Sequence, residues 1–384
     1  MRGDNAWPPG PVSVVRRQAR RRWSVVACGV AALCVLPAII AALPVPASPL
    51  TAAALRARIL ASSGVPYQGY AESSANLGLP SLPFLGNVSA LLDGITDQYA
   101  WYRSPGHWRA DVVTGTGESD TYQAGRALYQ WSYGRDLLTR IVGAQPVRLP
   151  RAADLLPPAL ARRLLGFASP ADHISRLPAK RIAGVDAAGL RLAPADPATT
   201  VGAISIWADP ASGLPVEVAV TSRGASEPVL VARFLELSER RPALAVVTPN
   251  PAPDVGVATA ELPDVSGILS GFGPPLPGQL AGSRRVAVPG GLADVAAYGT
   301  GFSRFAVLTL PFRDGISALN AARDAGAGEV SLSSGTAVEF QTPLLTVMLA
   351  RSQFGGPVYL LTGAVTASML ENAAAALLLR PAAP

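Results

Sequence analysis

Few residues in this sequence could perform acid–base, nucleophilic or metal chemistry. It contains two histidines, His107 and His173, and two cysteines, Cys28 and Cys34. His107 follows a turn and His173 lies near a predicted helix start, so both are interpreted as surface histidines rather than catalytic bases. The sequence has no Gly-x-Ser-x-Gly elbow, no His-Glu-x-x-His pair and no Walker phosphate loop. We therefore expect a protein that is not an enzyme and that holds no metal ion and no cofactor.

Three acidic residues are candidates for a chemical role. Glu118 and Asp120 are two positions apart on a predicted strand, so their side chains share one face. Such a pair is usually a solvated strand edge, and the alternative is a paired-acid site. Asp209 begins the turn Asp209-Pro210-Ala211-Ser212-Gly213, where its side chain is expected to cap the turn.

Aromatic residues offer the best candidates for a binding surface. Counting back from the turn Arg103-Ser104-Pro105-Gly106 places Trp101 opposite Trp108. On later strands, Tyr122 is expected to face Tyr129, and Tyr129, Trp131 and Tyr133 alternate onto one face. This aromatic face is either ordinary core under helices or an apolar surface that binds acyl chains or a hydrophobic peptide. Under the second interpretation the ligand-binding residues are Trp101, Trp108, Tyr129, Trp131 and Trp207.

The elements that would position these residues fall into two regions. Residues 48–241 are predicted to form one domain, with an antiparallel meander, a helical part near 151–174, and further strands. The proline-rich residues 242–263 are predicted to be a linker. Residues 264–380, with alternating strand and helix patterns, are predicted to form a second and smaller domain.

The first 45 residues predict a membrane segment. Arginines between Arg16 and Arg22 precede an uncharged apolar stretch at 24–43, which is long enough for a helix to cross a bilayer. Because arginines favour the cytoplasmic side, residues 1–23 would be a cytoplasmic basic tail. We expect a single-pass protein of the cell membrane with its bulk outside the cytoplasm. The alternative is cleavage near Val45-Pro46-Ala47, which matches a signal-peptide site loosely.

The charge distribution argues against nucleic acid as a partner. The whole chain has 32 basic and 26 acidic residues, a net charge of +6. Residues 1–23 hold six arginines and one aspartate, which leaves 26 basic against 25 acidic residues in the rest of the chain. With a net charge of +1, the predicted extracytoplasmic part has no basic surplus for binding nucleic acid.

Three segments carry a resemblance to a known family. Residues 66–70, 101–111 and 206–215 resemble the LolA-like fold, especially in the pattern strand, Asp-Pro-x-x-Gly-Leu-Pro, strand. That group contains periplasmic lipoprotein carriers, mycobacterial lipid carriers and the N-terminal domain of RseB-type sigma-factor regulators. The order of anchor, sheet domain and small C-terminal domain is most similar to membrane-anchored RseB-type regulators of actinobacteria.

The resemblance implies both a fold and a function. The fold is α+β: an incomplete antiparallel β-barrel wrapped around helices, followed by a smaller two-layer α/β domain. The implied ligand is a lipid or acylated lipoprotein in an apolar cavity, and the implied partner is an anti-sigma factor or another membrane protein. A retained N-terminal helix favours such a sensor. A cleaved signal peptide would instead favour a periplasmic carrier of lipid or lipoprotein.

Overall fold

The computed structural model describes residues 21–31, 44–78, 91–114, 117–142, 150–251, 255–261, 273–287, 294–353 and 355–379. The chain divides into two compact units, Met1–Pro46 and Ala47–Pro384. In the first unit a helix, α1, covers residues 21–31. Within the described ranges, no helix has the length and apolar character required to span a membrane. Of the predicted span at 24–43, residues 32–43 lie outside the described residues.

The second unit contains a large, mainly antiparallel sheet. Its strands are β1 (Tyr67–Asn76), β2 (Asp93–Ser104), β3 (His107–Thr114), β4 (Gly117–Ala124), β5 (Ala127–Ser132), β6 (Leu137–Val142), β7 (His173–Ile182), β8 (Val185–Ala193), β9 (Val201–Ala208), β10 (Pro215–Ser222), β11 (Leu230–Ser238) and β12 (Gly256–Glu261). Their spatial order is β12-β6-β5-β4-β3-β2-β1-β11-β10-β9-β8-β7. Strand β12 runs parallel to β6. This strand lies inside the segment that the proline content predicts to be a linker.

Turn chemistry explains why consecutive strands pair. Gly125, between β4 and β5, has a φ of +63°, which glycine adopts without a steric penalty. Between β9 and β10, the Asp209 carboxylate accepts hydrogen bonds from the backbone N–H groups of Ala211 (3.2 Å) and Ser212 (2.8 Å). The predicted role of Asp209 as a turn cap is therefore confirmed.

Two helices cover one face of this sheet. Helix α2 (Ala52–Ala61) contacts helix α3 (Pro157–Phe167), and both contact the sheet through apolar side chains. The buried core that they form with the strands includes Leu55, Ile59, Leu160, Leu165, Leu190, Ile204, Ile206 and Val218. We call the side of the sheet that carries Leu190, Ile206 and Val218 the helix face, and the opposite side the outer face.

Strand pairing extends the helix face across the sheet. Leu190 pairs with Ile206, Ile206 with Val218, and Val218 with Ala232. Ala232 pairs in turn with Ser73, and Ser73 with Thr96 on β2. Because directly paired residues share a face and alternate residues repeat it, Gln98, Ala100 and Tyr102 also lie on the helix face.

A second sheet follows in the same unit. Its strands are β13 (Gln279–Leu280), β14 (Ser283–Val286), β15 (Val295–Tyr298), β16 (Phe305–Leu310), β17 (Gly328–Leu332), β18 (Gly335–Gln341), β19 (Thr346–Ser352) and β20 (Val358–Gly363). They are ordered β13-β14-β15-β16-β20-β19-β18-β17. The accompanying helices are α4 (Phe312–Asp324) and α5 (Ala367–Leu378).

The second sheet has a helix on each face. Met348 and Leu349 are adjacent on β19, so their side chains point to opposite faces. Met348 belongs to the core cluster that contains Leu370 of α5, whereas Leu349 belongs to the cluster that contains Leu319 of α4. The expectation of two layers is therefore wrong, because the apolar strands of this sheet are buried on both sides.

The two sheets contact each other within the second unit. The Thr200 hydroxyl donates a hydrogen bond to the backbone oxygen of Leu344 at 2.6 Å. The Ser303 hydroxyl donates to the Asp196 carboxylate at 2.5 Å. Residues 47–384 thus form one compact α+β unit with a large sheet, and the division into domains at 48–241 and 264–380 stays a prediction.

Candidate functional site

A cavity of about 240 Å³ lies between the helix face and the segment that leads into α3. Its sheet-side wall includes Tyr67, Ala100, Tyr102, Trp108, Gln123 and Leu128. Tyr102 pairs with Trp108, Trp108 with Gln123, and Gln123 with Leu128, so these side chains form one row on the helix face. We call this space the aromatic cavity.

The other wall of the aromatic cavity comes from the start of α3. A short 3-10 turn at Ala152–Leu155 precedes the helix, and Pro157 and Pro158 occupy its first positions. Proline suits a helix start because its fixed φ matches the helix and its missing N–H has no partner there. This wall contributes Arg151, Ala153, Asp154, Leu156, Ala159 and Arg162.

Two tyrosines of the cavity wall, Tyr67 and Tyr102, combine an aromatic ring with a polar hydroxyl. The rings of Tyr67 and Tyr102 are stacked, with centroids 5.1 Å apart and planes 8° from parallel. The Tyr102 hydroxyl donates to the Ser63 backbone oxygen at 2.6 Å, and Arg162 donates to the Ser62 hydroxyl at 3.3 Å. Burial raises the pKa of Tyr67 and of Tyr102, although the nearby Arg162 guanidinium opposes that shift. Both phenols therefore stay neutral, and the guanidinium is the charge that faces them.

The structure separates the aromatic residues that the sequence grouped together. Trp108 lies on the helix face and lines the aromatic cavity. Trp101 also contributes to the cavity lining, but it pairs with Arg109, which places its side chain on the outer face. Tyr129 and Trp131 lie on the outer face as well, because they pair with Tyr122 and Asp120. Neither Tyr129 nor Trp131 is among the residues that line the cavity.

Trp207 lies on the outer face, where Pro178 and Lys180 contact its side chain. It is 7% exposed, and its indole N–H donates to the backbone oxygen of Pro178 at 3.0 Å. The ammonium group of Lys180 lies 3.5 Å from the centroid of the ring. The surroundings of Trp207 are those of a packed structural residue, since its polar atom and its ring are both already in contact with the protein.

The predicted pairing of Trp101 with Trp108 is wrong by one residue. Tyr102 pairs with Trp108 and Ser104 pairs with His107, and the shift between these pairs marks a β-bulge at Arg103. A one-residue shift moves every following side chain to the other face. The predicted pairing of Tyr122 with Tyr129, which lies beyond a regular two-residue turn, is confirmed.

A cluster of charged residues occupies the outer face. Asp111 and Asp120 are a directly paired couple on β3 and β4, and their side chains are 3% and 0% exposed. The Arg109 guanidinium lies 2.6 Å from the Asp111 carboxylate and 2.9 Å from the Asp120 carboxylate. It also lies between two rings, 5.1 Å from the centroid of Trp101 and 5.0 Å from that of Tyr122.

The interpretation of Glu118 and Asp120 as a solvated strand edge is wrong for Asp120, whose side chain is 0% exposed because it packs against Arg109 and Tyr122. Carboxylate oxygens of Asp111, Glu118 and Asp120 lie within 4.8 Å of one another, a spacing that a metal ion could bridge. The Arg109 guanidinium already provides the positive charge for two of them, however, and the Tyr122 hydroxyl donates to Asp120 at 3.1 Å. Burial, with the nearby Asp120 carboxylate, raises the pKa of Asp111 to about 7, although Arg109 opposes the shift. The arrangement favours a structural ion cluster over an acid–base site.

Sequence reasoning missed Asp111 and Arg109. Arg109 and Asp111 lie on β3 whereas Glu118 and Asp120 lie on β4, so the separation along the chain does not show that the two pairs meet. The signal that was present is the pairing of β3 with β4, which would have placed position 111 opposite position 120.

This chain is similar to several proteins of known structure. MucB in complex with MucA(peri) matches at 16% identity, covering 85% of this chain and 97% of that chain, with a TM-score of 0.47. The Pseudomonas aeruginosa MucA/MucB complex matches at 16% identity with the same coverage and a TM-score of 0.46. This chain resembles MucB. A LolA superfamily protein from Nitrosomonas europaea matches at 13% identity, covering 52% of this chain and 98% of that chain, with a TM-score of 0.25.

The LolA superfamily, to which the Nitrosomonas europaea protein belongs, is also the group that the sequence resemblance names. No protein-family model matches the chain, and no curated protein matches it.

Proposed function

We propose that this protein is a non-catalytic, membrane-anchored protein of the cell envelope that binds the acyl chain of a lipid or lipoprotein in the aromatic cavity. In this proposal the occupied protein regulates an anti-sigma partner or another membrane protein. The observation that carries the binding role is the cavity itself, with apolar and aromatic side chains and Gln123 on the sheet side, and Arg151, Asp154 and Arg162 on the helix side.

The composition of the walls supports an amphipathic ligand. Ala100, Leu128, Leu156 and the face of Trp108 offer apolar surface, which favours a hydrocarbon chain over water. Arg162 on the facing helix can contact a polar or anionic head group. An apolar chain that ends in such a group is the chemistry of a fatty-acyl lipid.

The size of the cavity limits how much of the ligand it encloses. Ligand cavities for small molecules are commonly about 300–1,000 Å³. At about 240 Å³, the aromatic cavity holds a segment of one acyl chain rather than a whole lipid. The remainder of the ligand would extend away from the cavity, which suits a ligand that is itself attached to a membrane or a protein.

The location and the partner in this proposal come from the sequence. The arginine cluster and the apolar stretch at 24–43 support a retained anchor that tethers the protein to the membrane. The anti-sigma partner follows the resemblance to RseB-type regulators, and MucB is the partner of MucA in the complexes reported above. The alternative is a carrier with a cleaved signal peptide, which the intact mass of the protein from the envelope would distinguish.

The binding role can be tested on the full chain in lipid nanodiscs with 11-(dansylamino)undecanoic acid, a fatty acid whose fluorescence reports an apolar environment. Ala100→Leu, which fills the cavity, should weaken binding about tenfold, and Trp108→Ala should weaken it through lost ring contact. Tyr133→Ala is the control, because Tyr133 is 43% exposed and does not line the cavity. Equal affinity of all four proteins for the probe would contradict acyl binding in this cavity.

A further inference from the structure

One cation in the wall of the aromatic cavity has no acidic partner. Arg162, on α3, lines the cavity and is half-buried, and its guanidinium donates a hydrogen bond to the Ser62 hydroxyl at 3.3 Å. Of the ion pairs in the described part of the chain, none includes Arg162. A guanidinium has five N–H donors, and an arginine that leaves water is usually paired with an acidic group. The cavity therefore presents an unpaired positive charge.

The other charged residues of the cavity wall have partners within the protein. The Arg109 guanidinium contacts two carboxylates of the outer face. The Asp154 carboxylate accepts a hydrogen bond from the backbone N–H of Arg151 at 2.9 Å, so Arg151 lies beside an acidic residue. Among the described residues of the lining, Arg162 is thus the positive charge that remains for a ligand.

The wall changes from polar to apolar next to Arg162. The guanidinium is close enough to Tyr67 and Tyr102 to oppose the rise in the pKa of both phenols. The stacked rings of these tyrosines, with Trp108 and Leu128 in the same lining, provide apolar surface. A charged group at Arg162 therefore leaves the adjoining carbons of a ligand against aromatic and aliphatic side chains, where burial of hydrocarbon is favourable.

We propose that Arg162 binds a carboxylate at the end of the ligand's hydrocarbon chain, so that the ligand of the aromatic cavity is an anionic amphiphile of the fatty-acid type. This inference rests on the proposed function and narrows its ligand, because the acyl groups of a lipoprotein are joined as esters and amides and carry no charge. The two carboxylate oxygens accept N–H groups of the guanidinium, and the chain follows the apolar part of the wall.

A single guanidinium selects a carboxylate over other head groups. Its parallel N–H groups match the two oxygens of a carboxylate, and one positive charge balances one negative charge. A phosphate monoester carries about 1.5 to 2 negative charges near neutral pH, which one arginine leaves partly unbalanced. A neutral ester or amide leaves Arg162 without an anion in a site that is partly removed from water.

The test compares decanoate with decanamide, which has the same chain length and nearly the same shape, on the full chain in phosphatidylcholine nanodiscs. At about pH 8 the carboxyl group of decanoate is ionised. Tryptophan emission reports binding, and empty nanodiscs correct for partition of the probes into lipid. The quantity measured is the ratio of the two affinities in each protein. In Arg162→Met, which keeps an apolar side chain but removes the charge, this ratio should shift about tenfold toward the amide.

The matched control is Arg163→Met, because Arg163 is the next residue of α3, is exposed and does not line the cavity. It changes the net charge by the same amount and should leave the ratio unchanged. Arg162→Lys keeps the charge but not the paired N–H groups, so the ratio should shift in the same direction by about threefold. Circular dichroism checks that each variant keeps the sheet, and Arg162→Lys carries the test if Arg162→Met does not fold.

The outcomes separate this proposal from the one on which it rests. If both probes bind and the Arg162 variants leave their ratio unchanged, or if Arg163→Met shifts it equally, the carboxylate proposal is overturned and acyl binding stands. If neither probe binds the wild-type protein, both proposals are overturned. Decyl phosphate is a third probe. Weaker binding of decyl phosphate than of decanoate supports the carboxylate, and tighter binding overturns it in favour of a phosphate head group.

Discussion

Asp111 and Asp120 face each other across β3 and β4, and the guanidinium of Arg109 lies within hydrogen-bonding distance of both carboxylates. Like charges directly opposite each other on a sheet are destabilising. Here the repulsion is offset by an arginine on the same strand as Asp111, which stacks between Trp101 and Tyr122. The stability of the central strands thus depends on one buried charge arrangement.

Replacing Arg109 should be strongly destabilising. Arg109→Met leaves two buried carboxylates without their cation, and breaking a buried pair in this way costs about 3–5 kcal/mol. The free energy of unfolding of the full chain, from denaturant titration, measures the loss. Arg181→Met is the matched control, since its ion pair with Asp186, which is 41% exposed, is screened by water and contributes little to stability. Adding Asp120→Asn to Arg109→Met should recover part of the lost free energy of unfolding, because one buried charge is then removed. Equal losses for Arg109→Met and Arg181→Met would contradict this account.

Asp111 should make the protein less stable as the pH rises toward neutrality. Its pKa in the folded state is about 7, raised from an ordinary value of 3.8 chiefly by burial. Between these values the folded state binds the proton more tightly than the unfolded state, so the free energy of unfolding falls as the pH rises, by at most about 1.4 kcal/mol per pH unit. Asp111→Asn should remove this contribution.

Thermal unfolding of both proteins at pH 4 to 8 checks the prediction. The wild type should lose stability relative to Asp111→Asn between about pH 4 and pH 7. Their difference should be constant above that window. A difference that does not change with pH would show that Asp111 titrates normally.

The tryptophans should respond unequally to an acyl ligand. Trp108 lines the aromatic cavity on the helix face, whereas Trp207 is buried under Pro178 and Lys180. Trp108→Phe should therefore reduce the change in tryptophan emission when 11-(dansylamino)undecanoic acid is added, and the remaining change should come from Trp101, which also lines the cavity. Trp207→Phe should retain that change, although it should unfold more easily because it loses the hydrogen bond to Pro178. The reverse pattern would place the ligand on the outer face.

Gly213 should tolerate no side chain. Its φ is +75°, and a Cβ atom there would lie 2.5 Å from the backbone oxygen of Arg58 in α2. Gly213→Ala is expected to cost about 2–4 kcal/mol, because both the conformation and the contact are unfavourable. Gly134→Ala is the control, since no atom lies within 4 Å of its Cβ position and its φ is not positive. Similar denaturation midpoints for the two variants would argue against the close contact of this turn with α2.

Most strands and turns were predictable from the sequence, because the residues that form each turn lie next to one another in the chain. Asp209 and Gly213 define their turn through a side-chain cap and a positive φ, and both features depend on residue type. Pairing beyond the bulge at Arg103 was not predictable, since a bulge inserts one residue without a distinctive sequence pattern. That single residue decided which face of the sheet Trp101 and Trp108 occupy.

The candidate site was only partly predictable for the same reason. Alternation along β2 shows that Gln98, Ala100 and Tyr102 share a face, but the sequence does not show which face the helices cover. Trp108 was predicted to be a binding residue from its type and its position on a predicted strand, and that role stays a prediction.

By itself, the sequence determined the features that depend on composition and on near neighbours. These are the arginine cluster before an apolar stretch, the near-neutral charge of the remaining chain, the absence of familiar catalytic motifs, and most turns. The tertiary structure alone decided which face carries the cavity, that β12 joins β6, and that the second sheet is covered on both sides. The physical reason is that period-two alternation defines two faces of a strand, while burial of one face depends on segments far away in the chain.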